Sequence, residues 1–135
     1  MTTKKRIHHI ALVVRNLDEG LRFYRDKLGL RLDKLETVEE QGVKAALLSM
    51  DNVEIEILEP LSDDSGIGRY LDRRGEGLHH ICFTTPDIRA EMADLKGRGV
   101  ELLDQEPRRG LAGLICFMHP RAHAGVLVEL VEAPE

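Results

Sequence analysis

The chain has 135 residues, 42% of them apolar, and a formal net charge of -5 from 19 basic and 24 acidic side chains. That length and apolar content suit one compact unit with a real core, and the acidic balance excludes a nucleic-acid surface, which needs a clustered cationic face. No secretory leader core or long uncharged apolar run is readable, and both cysteines, Cys82 and Cys116, sit in apolar strand-like runs. The expectation is a reduced, soluble, cytoplasmic protein with no membrane partner.

In chain order, apolar and β-branched Ile10 to Val14 predicts a strand, and Asn16-Leu17-Asp18 the cap of a helix with Leu21, Phe23, Tyr24 and Leu28 on its inner side. Gly29 ends that helix. An extended stretch from Leu30 to Val38 follows, then a turn at Gln41-Gly42, a strand from Val43 to Ser49, a turn at Asp51-Asn52 and a glutamate-bearing strand to Glu59. A polar linker then holds a short amphipathic helix, Ile67 to Arg73, whose Arg69, Arg73 and Arg74 read as solvated charge. The second half repeats the order: a strand from Ile81 to Thr84, a helix opened by Pro86-Asp87 and ended by Gly99, and strands at Val100 to Leu103, Leu114 to Met118 and Gly125 to Glu132. Arg108 to Gly113 lacks the spacing and context of a phosphate loop, and reads as a flexible loop over a site.

The order β-α-β-β-β therefore occurs twice, and the motifs confirm a duplication. Ile-His-His-Ile at 7–10 recurs as Leu-His-His-Ile at 78–81, and each half closes on an alternating strand with a carboxylate, at 53–57 and at 126–130. On a strand only alternate residues share a face, so one histidine of each pair points inward, and Glu54 and Glu56 point opposite to Glu59. Aligning His9 with His80 also aligns Glu56 with Glu129, at separations of 47 and 49 residues. His9, Glu56, His80 and Glu129 are thus the expected ligands of one divalent ion per chain. Their mixed nitrogen and oxygen donors suit a borderline divalent ion such as cobalt, manganese, nickel, iron or zinc. His8 and His79 read as supporting or surface residues, and His119 and His123 as surface histidines in a turn-rich segment.

Taken together, the strand-starting histidines, Glu59-Pro60-Leu61, Gly-Glu-Gly-Leu-His-His-Ile at 75–81, Phe-Met-His-Pro at 117–120 and Gly-Val-Leu-Val-Glu-Leu at 125–130 resemble the methylmalonyl-CoA epimerase family of the vicinal oxygen chelate superfamily. Glu40-Gln41-Gly42-Val43, Asp63-Asp64-Ser65, Glu106-Pro107 and His119-Pro120 make the resemblance specific to that family, and it covers nearly the whole chain. It implies an α+β fold in which two tandem β-α-β-β-β modules, about 5–60 and 78–133 with a linker at 61–77, form one cupped, metal-binding sheet. It also implies a homodimer, a CoA thioester substrate, a metal held by His9, Glu56, His80 and Glu129, and exchange of (2R)- and (2S)-methylmalonyl-CoA. Such an enzyme removes the C2 proton through a metal-stabilised enolate and returns it to the other face, with Glu129 and Glu56 as the expected proton carriers. Some members carry a glutamate three residues after the turn glycine, where this chain has Ala45, and glutamine where it has Glu56. The alternatives are a glyoxalase-like isomerase or lyase on another small substrate, and a metal-free antibiotic-binding protein of the superfamily. Retention of all four donor residues counts against the latter.

Overall fold

The structure, a computed structural model, describes residues 5–132. Its chain forms two compact units, one of His9–His79 and the other of residues 80–132 together with 5–8. In the first unit the strand order is β2-β3-β4-β1, from β1 (Ile7–Val13), β2 (Arg31–Val38), β3 (Val43–Ser49) and β4 (Glu54–Pro60). In the second it is β5-β8-β7-β6, from β5 (Gly77–Thr84), β6 (Arg108–Arg109), β7 (Leu114–Met118) and β8 (Val128–Glu132). The opening strand of each half runs parallel to its closing strand, β1 with β4 and β5 with β8, and the pairings of β3 and β7 are antiparallel. A crossover helix is what a parallel pair requires, and each half has one.

Asn16 caps α1 (Leu17–Leu21) by accepting the Glu19 N–H at 3.0 Å, and Asp87 caps α3 (Ile88–Gly97) by accepting that of Ala90 at 3.1 Å. Each helix covers one face of its own sheet. Leu17 and Leu21 pack with Ala46, Leu48 and Ile57, while Ile88 and Met92 pack with Leu102, Cys116 and Leu130. Burial of these side chains is the main stabilising term in each unit. The opposite face of each sheet is left to carry the histidine and the glutamate.

Three sequence expectations are corrected. After Leu21 the first helix widens into a π-helix over Arg22–Lys27, so the 3.6-residue spacing is lost and Phe23 and Leu28 are 52% and 57% exposed rather than inward; Tyr24 does pack on the core. Val100 to Leu103 is no strand but a single bridge from Leu102 to Met118. Arg108 to Gly113, expected as a flexible loop, is instead the turn of a hairpin in which Arg108 pairs with Ile115 and Arg109 with Leu114. That turn is tight: the Gly110 N–H donates to the Gly113 carbonyl at 2.8 Å, and a Cβ at Gly110 would approach Ile115 to 2.8 Å.

Between the two halves in sequence lies α2 (Gly66–Arg74), capped by Ser65, where a Cβ at Gly68 would collide with the Ser62 and Asp63 carbonyls. Arg69 binds the Asp64 carbonyl at 2.7 Å and Arg74 lies over the Tyr70 ring, but Arg69, Arg73 and Arg74 all stay exposed. Cys82 and Cys116 are buried as thiols. Among the described residues, no helix is long and apolar enough to cross a membrane.

Candidate metal centre

Register settles which member of each cluster turns inward. In the first unit His9 lies opposite Glu54 and Ala11 opposite Glu56, so His9 and Glu56 sit diagonally on one face. In the second, Cys82 lies opposite Glu129, which puts His80 two residues back and on the same diagonal. The duplication therefore extends to the hydrogen-bond register. His9, Glu56, His80 and Glu129 are 4%, 7%, 5% and 4% exposed, whereas neighbouring His8, Glu54 and His79 are only half-buried.

Within the first unit, Nε2 of His9 is 3.7 Å from Oε1 of Glu56; within the second, Nε2 of His80 is 3.0 Å from Oε1 of Glu129. Around the first pair stand Ala11, Val13, Leu47, Leu58 and Ala45, all buried; around the second stand Cys82, Ile115 and Val131. A buried imidazole and carboxylate among apolar side chains lose hydration that an apolar pair would never need, so such pairs are poor devices for stability and good ones for function. Each offers one nitrogen and one or two oxygens to a borderline divalent ion, and the donor chemistry fits that group.

Ala45 is 1% exposed, opposite Leu58 in the β3–β4 register and two residues along from Leu47, which faces Glu56. Its Cβ thus lies on the Glu56 face, directed there by the turn at Gly42, whose φ is +68°. Glycine adopts that left-handed conformation at no steric cost.

His119 accepts the Arg121 N–H on Nδ1 at 3.0 Å and caps a short 3-10 turn, Pro120–Ala122. Arg121 in turn pairs with Glu101 through two hydrogen bonds, which hold the carboxyl below its ordinary range and the guanidinium above its own. His119 is half-buried and His123 exposed.

Sequence reasoning passed over a second layer on the His80 face. The Phe117 ring stands edge-on to His80, with centroids 5.3 Å apart, and Phe117 is the register partner of Glu129. Asp104 accepts the Phe117 N–H at 2.8 Å and Arg108 Nε at 2.7 Å, and the Arg108 guanidinium lies 5.8 Å from the Phe117 ring centre. Phe117 stood in the sequence only as part of a family motif. Asp104 lies in irregular chain with no periodicity to mark it.

A duplicated β-α-β-β-β chain, with a buried His–Glu pair that could hold a metal on the corresponding face of each repeat, is the arrangement of the glyoxalase class of proteins. Residues 8–118 match the Glyoxalase/Bleomycin resistance protein/Dioxygenase superfamily. The mitochondrial methylmalonyl-CoA epimerase of Homo sapiens is 35% identical over 130 residues, spanning 95% of this chain and 74% of that protein. The ethylmalonyl-CoA/methylmalonyl-CoA epimerase of Cereibacter sphaeroides is 34% identical over 128 residues, spanning 93% of this chain and 96% of that one. Among solved structures, a methylmalonyl-CoA epimerase variant from Streptomyces coelicolor in complex with 2-nitronate-propionyl-CoA is 41% identical, with a TM-score of 0.92 over 96% of this chain and 98% of its own. The chain belongs to the methylmalonyl-CoA epimerase family within that superfamily.

Proposed function

We propose that this protein is an isomerase that interconverts (2R)- and (2S)-methylmalonyl-CoA. The observation that carries the proposal is the repeated, buried His–Glu diagonal, His9 with Glu56 and His80 with Glu129, in a chain of this family. Epimerisation needs a group that takes the C2 proton on one face and a group that supplies one on the other, with charge passing to the thioester oxygen between the two transfers. A positioned carboxylate typically contributes about 10²–10⁴-fold to such a transfer.

His9, Glu56, His80 and Glu129 would hold one divalent ion, with cobalt the first choice and manganese, nickel or zinc the others. When bound, such an ion supplies Lewis-acid stabilisation of the charge that develops on the substrate oxygens. Glu129 and Glu56 are the carboxylates assigned to proton transfer, one for each face. Apolar neighbours such as Ala45, Leu47 and Leu58 keep water from the first pair, as Ile115 and Val131 do for the second, and a low local dielectric strengthens every electrostatic contact made there. The working form is assigned as a homodimer.

The proposal is tested by metal content and turnover on one preparation. Elemental analysis is expected to give about one divalent ion per chain, with epimerisation lost on chelation and regained when the ion is restored. Full turnover at substoichiometric metal would overturn the metal role. Absence of turnover in protein fully loaded with each of the four metals would overturn the substrate assignment.

A further inference from the structure

The two repeats differ where the strand next to the glutamate faces it. Leu47 lies opposite Glu56 and Phe117 opposite Glu129, so the two occupy the same place in their halves. An aliphatic side chain fills the first position well, since Leu47 is 5% exposed. The second position holds a half-buried ring with anchors that packing alone does not call for.

Those anchors form a closed set. One oxygen of Asp104 holds the Phe117 backbone and the other holds Arg108, whose guanidinium caps the face of the Phe117 ring. The Asp104 side chain is 12% exposed although it lies outside any regular element, and Arg108 shares the Phe117 face because it pairs with Ile115. Backbone and ring face are thus each held, and the ring stands perpendicular to the His80 imidazole with centroids 5.3 Å apart. An imidazole turns readily about its last torsion unless something stops it. The His–Glu distance is 3.0 Å in the half with the clamped ring and 3.7 Å in the half without.

We infer that Phe117, clamped by Asp104 and Arg108, is a positioning residue that fixes the orientation of the His80 imidazole. Groups that orient a ligand histidine typically change metal affinity by about 10–100-fold when lost. The effect on metal rests on the metal role proposed for His80; the orientation of the ring does not.

The test uses the full chain and two readouts. The first is the pair of His80 ring-proton resonances in metal-free protein, assigned with His80→Gln; the second is Co2+ affinity by titration. Phe117→Leu, which installs the side chain of the other repeat, is expected to move the His80 resonances and to weaken Co2+ binding about tenfold. Phe117→Tyr, which keeps the ring, is expected to match wild type in both. Asp104→Asn keeps an acceptor for the Phe117 N–H but removes the carboxylate charge that pairs with Arg108, and is expected to shift both readouts in the Phe117→Leu direction by less; it carries the test should Phe117→Leu fail to fold. Unchanged His80 resonances in both Phe117→Leu and Asp104→Asn, or in Asp104→Asn if it alone folds, would overturn the inference. Wild-type protein that binds no Co2+ would instead overturn the metal reading, leaving the resonances to decide the clamp.

Discussion

Oε1 of Glu59 accepts the backbone N–H of Leu17 at 2.7 Å, and the second half repeats the bond between Glu132 and Ile88 at 2.8 Å. Each of these glutamates stands three residues after the glutamate of a His–Glu pair, so it points to the opposite face of the strand, where the helix begins. There it satisfies one of the first N–H groups of the helix, which have no partner within it, and its charge opposes the helix dipole. The strand that carries Glu56 or Glu129 is tied to its covering helix by this bond.

Glu59→Ala and Glu132→Ala are each expected to lower stability by about 1–2 kcal/mol, as loss of a capping acceptor does. Gln at either position keeps an acceptor and is expected to cost less. Urea denaturation followed by circular dichroism measures both. A midpoint unmoved in the two alanine variants would show that the bond contributes nothing to stability.

Burial, and after it the charges of Asp104, Glu129 and Glu91, push the Cys116 thiol up from 9.0 to about 11. The folded pKa is raised, so the contribution to stability is complete below the unfolded pKa and is lost as the pH climbs through the folded one. Unfolding free energy is expected to fall between about pH 9 and pH 11, and Cys116→Ala to flatten part of that decline. Equal slopes in wild type and variant across this window would rule out the assignment.

Much of this arrangement is legible in the residues, for reasons that are local. Asn16 and Asp87 announce their helices because a short side-chain acceptor at that place has one strong use. The paired histidines and strand glutamates reveal the duplication because alternation on a strand leaves each cluster a single inward member. The face taken by Phe23 and Leu28 was not legible, since the π-helix over Arg22–Lys27 leaves no mark in the apolar spacing. Val100 to Leu103 has strand-like composition, yet Leu102 is drawn onto the helix-side core and only one bridge survives. The Asp104–Arg108–Phe117 clamp depends on a hairpin whose glycines look, in sequence, like any loose loop.

Ala45 and Glu56 share a face, and this prepares a separation of ligand and base. A carboxylate that ligates a metal is a weaker base than a free one, so under the proposed mechanism a chain with Ala45, where some members carry a glutamate, would ask more of Glu56. Glu56→Gln keeps an oxygen donor and removes the ionisable group; metal content is expected to survive while kcat falls by about 10²–10⁴-fold. Adding Ala45→Glu is expected to restore part of the rate. Near-wild-type turnover in Glu56→Gln would leave Glu56 with ligation alone.

The β2 strand, on the edge of its sheet, is exposed along most of its length and presents Leu35 at 50% exposure. An edge of this kind calls for a cover, which a second copy of the chain would supply in the proposed homodimer. Light scattering at micromolar concentration is expected to give a dimer; a monomer would contradict the assigned assembly.

The most direct test of the proposed chemistry is incubation of methylmalonyl-CoA with the protein in deuterated water. Removal of the C2 proton and its return from solvent-exchanged carboxylates predicts deuterium at C2, appearing with inversion of configuration in wild type and lost in Glu129→Ala. Unlabelled methylmalonyl-CoA of unchanged configuration, recovered from protein shown to be folded and metal-loaded, would contradict it.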